Sequence, residues 1–256
     1  MKDLSRLSEL YGELKTIKTP TGRTVVLRQQ NGADDDTLTN GKAISKGMAI
    51  ANYLASIIVD SDYTDKGVLS PTEVVRLRLP DAYYIMVSSR IFSLGHMVNF
   101  TYQWETNSKP VEYEEDLFQF IWDFNKPFPT ENPERYIKPV SEELTREITL
   151  PSGKVVIYEF ANTLTENYMA NLPLEQQSKN QELLARNLKL KNTGGEYNKV
   201  ENFRMFNIQD MRFLRNDISE HDPLMDFTST IENPVSGEVI PYPVLASLDF
   251  FFPRGM

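Results

Sequence analysis

The chain has 256 residues, 40% of them hydrophobic, which is enough for one large domain or two modest ones around a packed core without covalent staples. Its formal charge of -9, from 36 acidic against 27 basic side chains, works against nucleic acid and against anionic membrane surfaces, whose attraction rests on clustered Lys and Arg. The absence of cysteine removes disulfides, thiolate metal sites, iron–sulfur clusters and Cys nucleophiles together, and suits a reducing cytoplasm.

The opening MKDLSRLSELYGELK mixes charges of both signs, so it has the pattern of neither a secretion signal nor a transit peptide. Leu4, Leu7, Leu10 and Leu14 recur at helical steps and predict a short amphipathic helix that needs a partner surface. In TPTGRTVVLRQQ, Pro20 and Gly22 are turn formers, and the β-branched run after them reads as the return strand of a hairpin. NGADDDTL then carries helix-start chemistry, because acidic groups are favoured near the free N–H groups of a helix N-terminus.

Ile44, Met48, Ala51, Leu54 and Ile58 keep a helical spacing and predict one helix over residues 42–59. The longest apolar stretch, MAIANYLASIIV, falls well short of the roughly 18 to 20 residues that cross a bilayer. SPTEVVRLRL has the form of a capping box, with Ser70 as cap, Pro71 at the first helical position and Glu73 reaching back. DAYYIMVSSRIFSLG predicts a further helix capped by Asp81 and stopped by Gly95. MVNFTYQWE and PVEYEEDL alternate across the polar turn TNSK as a second hairpin. The proline-rich stretch FNKPFPTENPERYIKP reads as an extended linker ending near residue 140.

The layout then restarts. ITLPSGKVVIYEFAN follows IKTPTGRTVVLRQQN, pairing Gly22 with Gly153 and Asn31 with Asn162. The helix opening IQDM follows LPDA, pairing Asp81 with Asp210, and DFTSTIENPVSGEVIPYP follows the second hairpin. These pairs hold a nearly constant offset of 127 to 131 residues. Two long units do not make a solenoid, which needs at least three short ones. The expected fold is α+β: two related modules, residues 1–140 and 141–256, each a hairpin, amphipathic helices and a second hairpin, arising by internal duplication.

Few residues offer chemistry. LPSGK lacks the first glycine, the Ser or Thr after the lysine and the following helix of a phosphate loop, and its counterpart TPTGRT marks it as a hairpin turn. The acidic runs Asp34–Asp36 and Glu112–Asp116 lack calcium-loop spacing and read as a helix start and a solvated strand face. His96 and His221 stand beside helix ends without a nucleophile, so a triad has no material. An enzyme would need the acids from Glu112 to Asp116 to converge on His96 in a pocket. No catalytic residue, metal or cofactor is expected.

The segment LRLPDAYYIMVSSRIFSLGHMVNFTYQWE, the downstream EEDL and the terminal LDFFFP resemble the baseplate hub and hub-assembly proteins of contractile-tailed, T-even-like bacteriophages. LRQQNGADDDTLTN is similar to a motif of those proteins and of tail assembly chaperones. The resemblance runs over much of the chain as patterns with variable gaps, and is most specific from Leu77 to Trp104 and at FFFP. Many members carry Cys-x-x-Cys pairs in the hairpins; here the turns QWETNSKP and IENPVSGE hold no thiolate, so the tips depend on turn chemistry at Pro234 and Gly237 and on aromatic packing. The resemblance implies a non-enzymatic structural or assembly role in the host cytoplasm or the virion tail, with other baseplate or hub proteins and the tape-measure protein as partners. A tail assembly chaperone or adaptor that binds a partner segment by strand addition is the second reading.

Phe250, Phe251 and Phe252 read as a closing strand stopped by Pro253, with Phe251 facing opposite to its neighbours. One of those faces would have to be covered by another element or subunit. Tyr102, Trp104, Phe250 and Phe251 are therefore the candidate interface residues, chosen by side-chain type and position.

Overall fold

In the computed structural model, which describes residues 3–223, 227–246 and 250–251, helices and small antiparallel sheets alternate in an α+β fold. The first half runs α1 (Leu4–Tyr11), β1 (Leu14–Lys18), β2 (Thr24–Arg28), α2 (Gly32–Leu38), α3 (Gly41–Ser45), α4 (Ala49–Ile57), β3 (Ile58–Ser61), α5 (Pro71–Val74), α6 (Leu79–Leu94), β4 (Met97–Tyr102) and β5 (Val111–Asp116). After an irregular stretch come β6 (Thr145–Thr149), β7 (Val155–Glu159), α7 (Thr163–Ala170), α8 (Lys179–Ala185), β8 (Lys189–Lys191), β9 (Tyr197–Lys199), α9 (Ile208–His221), β10 (Thr228–Glu232) and β11 (Val239–Pro243).

The hairpins β1–β2 and β6–β7 turn the same way. Gly22 and Gly153 hold φ of 86° and 82°, the region open to a residue without Cβ. Each glycine N–H donates back to the carbonyl three residues earlier, of Thr19 and Leu150. Asn31 and Asn162 then cap α2 and α7, each closing a capping box. In both halves a later strand returns to the second hairpin strand: β3 pairs with β2, and β8 with β7.

The helix expected over residues 42–59 is broken. Gly47 takes φ of 65° between α3 and α4, and the chain leaves the helical region at Ile58 to enter β3, where its apolar side chain is buried in the sheet. Asp81 does not cap α6. Arg78 occupies the cap position and Asp81 the third helical one, where its carboxylate is turned to the β1–β2 turn. In α1 only Leu7 of the leucine stripe is buried, against Val26 and Val59, and Leu14 joins it from β1 rather than from the helix. Phe250 and Phe251 belong to no strand pairing among the described residues, and Phe250 is fully buried in the core; Phe252 and Pro253 lie outside the described residues.

Two cores result. The larger gathers α4, α6, β2 and the β4–β5 hairpin, and it takes in Phe227, Ile231, Val244 and Phe250 from the end of the chain. The smaller, from Ile148 to Ile218, fills the space between β6–β9 and α8–α9. They meet at a buried ion cluster. Arg78 donates to Asp222 Oδ1 at 2.7 Å and to the carbonyls of Ser141 and Glu143, while Arg186 holds Asp222 Oδ2. The Arg78 guanidinium also lies 3.9 Å from the Phe160 ring centroid.

Candidate functional site

The four candidate interface residues all belong to the larger core. The hairpins β4–β5 and β10–β11 lie against each other, Phe100 stacking on Tyr242 with centroids 4.2 Å apart. Tyr113 Oη donates to the Glu232 carbonyl at 2.7 Å and accepts from Trp104 Nε1 at 2.8 Å, which satisfies the indole of a side chain only 3% exposed. Tyr102 is half-buried, edge-on to Trp104 and Tyr242. Phe250 is fully buried and its carbonyl accepts from Arg90 Nε at 2.5 Å; Phe251, half-buried, meets the Tyr53 ring edge-on. The aromatic surface that asked for a cover is thus covered, at Trp104 and Phe250, by the chain itself.

The groups with acid–base potential are also engaged. Asp116 Oδ1 lies 3.0 Å from His96 Nδ1, both side chains nearly half exposed, while Glu112 and Glu114 are exposed on β5. Asp81 is buried, which pushes its carboxyl up, although Thr21 donates to it through both N–H and Oγ1 and Tyr63 through its hydroxyl. Lys154 follows a hairpin turn that leads into β7, so the glycine–lysine pair precedes a strand rather than a phosphate-binding helix. Among the described residues no group of three or more His, Cys, Asp or Glu is placed to hold a metal ion, and no helix is long and apolar enough to cross a membrane.

A different surface stands open. In the β1–β2 pair the Thr19 N–H donates to the Arg23 carbonyl, so by strand alternation Ile17 and Lys15 bond β2 while Leu14, Thr16 and Lys18 turn their backbone groups outward. β1 is an edge strand. Among the described residues no backbone group bonds the outward N–H and C=O of Thr16 and Lys18.

Beside this edge runs a slot of about 460 Å3, floored by Tyr84 of α6 and walled on the far side by the segment after β5. That wall is fixed: Tyr84 Oη donates to the Trp122 carbonyl at 2.9 Å, Trp122 Nε1 donates to the Pro127 carbonyl at 3.0 Å, and Trp122 packs edge-on against Tyr136. Lys15, Lys18 and Lys126 line the slot against one acid, Asp123. Sequence reading misses it because β1, α6 and the linker are brought together only by folding; the two lysines of LKTIK are the one local signal of an exposed strand edge.

No family model matches the chain, and neither the curated proteins nor the solved structures compared with it give a match.

Proposed function

We propose that this chain is a non-enzymatic structural or assembly protein of a contractile bacteriophage tail, acting at the central baseplate hub through contacts with other tail proteins. The resemblance of Leu77–Trp104 and of the terminal phenylalanines supports the phage assignment. The observation that carries the protein-binding role is the free edge of β1 beside a rigid aromatic slot, since backbone groups left unpaired at a sheet edge are a template for another chain. Meanwhile the buried carboxylates Asp81, Asp210 and Asp222 hold turns, helices and the junction of the two cores. The two halves are proposed to be copies of one ancestral unit, on the strength of their matching turns, asparagine caps and strand pairings.

The slot also favours the adaptor or tail assembly chaperone reading, in which the bound segment leaves when the tail is complete. Mixing the purified chain with hub and tape-measure proteins tests the shared claim: a stoichiometric complex on size exclusion is expected, and its absence with every tail partner overturns the reading. Presence of the chain in finished particles then marks a subunit, and its loss before completion an assembly factor.

A further inference from the structure

We infer that the β1 edge takes an extended, acidic segment of a partner protein as a fourth strand of the β1–β2–β3 sheet. This inference rests on the protein-binding reading above and names its ligand. Three features of one place converge on it. The outward N–H and C=O of Thr16 and Lys18 offer the paired donor and acceptor groups that an antiparallel or parallel strand needs. The slot alongside, between Tyr84 below and Trp122 and Tyr136 beyond, gives apolar room for alternate side chains of such a strand. Its charge is the reverse of the chain's own: three lysines face one aspartate, and Asp123 already lies 3.8 Å from Lys126, while the whole chain carries -9.

The sign decides between occupants. A second copy of the chain, adding its own β1, would bring a second Lys15 and Lys18 into the same ribbon, and like charges on adjacent strands destabilise pairing. By strand alternation Lys15 shares the Ile17 face and Lys18 the opposite one, so a strand whose apolar side chains enter the slot sets its Asp or Glu side chains beside Lys18, with Lys15 and Lys126 adding to the positive field. The fixed wall favours binding without reorganisation, because the Tyr84 and Trp122 hydrogen bonds are made before any ligand arrives.

The test uses the full-length protein and a fluorescent peptide of about eight residues alternating Glu and Val, with a Lys–Val peptide as counterpart. Anisotropy titration is expected to give saturable binding of the Glu–Val peptide that weakens with salt, and binding of the Lys–Val peptide weaker by about tenfold or more. Thr16→Pro removes the outward N–H without touching a bond to β2, and is expected to weaken the Glu–Val peptide by about tenfold or more while the thermal midpoint stays near wild type. Lys18→Glu, at an exposed position, keeps the fold and balances the slot at two lysines against two acids, so it is expected to abolish the preference between the two peptides even if Thr16→Pro does not fold. Equal binding of both peptides to the wild-type protein, or indifference of binding to Lys18→Glu, overturns the inference. So does a dimer in sedimentation that Lys18→Glu or Thr16→Pro dissolves, which would assign the edge to a second copy. If a tail-protein complex forms on size exclusion and withstands both variants, the protein-binding reading stands and this site for it falls.

Discussion

Asp81 and Asp210 make the same hydrogen bond in the two halves of the molecule: each, at the third position of its helix, accepts the backbone N–H of the residue before a turn glycine, Thr21 and Ser152, at 3.0 Å. An acidic group in the first turn is favoured by the helix dipole, and here it also pins a hairpin to a helix. Asp81 carries more of the load, since Thr21 Oγ1 and the Tyr63 hydroxyl donate to it as well. Asp81→Ala is expected to lower stability by on the order of 3 kcal/mol and Asp210→Ala by about 1–2 kcal/mol, because more buried donors are stranded in the first half. Urea unfolding of the two variants checks the order; an equal or inverted pair of values contradicts the shared anchoring role.

Acid should weaken both cores. Burial alone raises the carboxyls of Asp34 and Asp217, but hydrogen bonds from Arg28 and Ser56 to the first, and from Arg146 and Tyr158 to the second, outweigh it and hold both below the ordinary value of 3.8. The folded chain therefore binds fewer protons at these sites than the unfolded chain does. Their stabilisation is fully present above the unfolded value and is lost as pH falls through the lower folded values. The thermal midpoint should fall steeply below pH of about 4, and Asp34→Asn should flatten that slope while lowering stability at neutral pH.

Asp222 stands between two arginines, Arg78 at 2% exposure and Arg186 at 1%, and also accepts the Ala161 N–H at 2.7 Å. Removing the shared anion leaves Arg78 buried with only carbonyl acceptors and Arg186 with Glu182, at 3.0 Å, as its remaining acid, which costs about 3 kcal/mol. Asp222→Ala should therefore destabilise the protein far more than Arg78→Met, which leaves the Arg186 pair intact and supplies apolar bulk over Phe160. Chemical denaturation separates them. Limited proteolysis should also cut the Asp222→Ala protein faster in residues 125–144, where Ser141 and Glu143 lose the anchored guanidinium.

Local chemistry was the legible part of this fold. Gly22, Gly153 and Gly95 act as the turn formers and helix stop that their residue type predicts, and Glu73 reaches back to the Ser70 N–H as the capping-box pattern predicts, because caps and turns are decided by a few neighbouring atoms. Ile58 could not be assigned correctly from spacing, since a helical step continues smoothly into a strand residue when both bury the same side chain. Gly47 gave no helix-break signal by itself: its positive φ is held in a contact with Asn167, whose Nδ2 donates to its carbonyl at 2.8 Å from 120 residues away. The candidate slot was invisible for the same reason, as Lys15, Tyr84, Trp122 and Tyr136 share no local pattern.

Phe250 and Phe251 differ in burial although they are neighbours, and their variants should differ accordingly. Phe250 is fully enclosed in the larger core, and its carbonyl is one of three, with those of Gly95 and Met97, gathered by the buried Arg90 guanidinium. Phe250→Ala opens a cavity there and should cost about 3–5 kcal/mol, as for other buried aromatic side chains. Phe251, half-buried against Tyr53, loses an edge-to-face contact and part of its apolar cover, so Phe251→Ala should cost about 1–2 kcal/mol. If the two phenylalanines served a partner and not the core, the variants would unfold like wild type and fail instead in complex formation. Thermal unfolding and size exclusion with tail proteins, run on the same preparations, distinguish these outcomes.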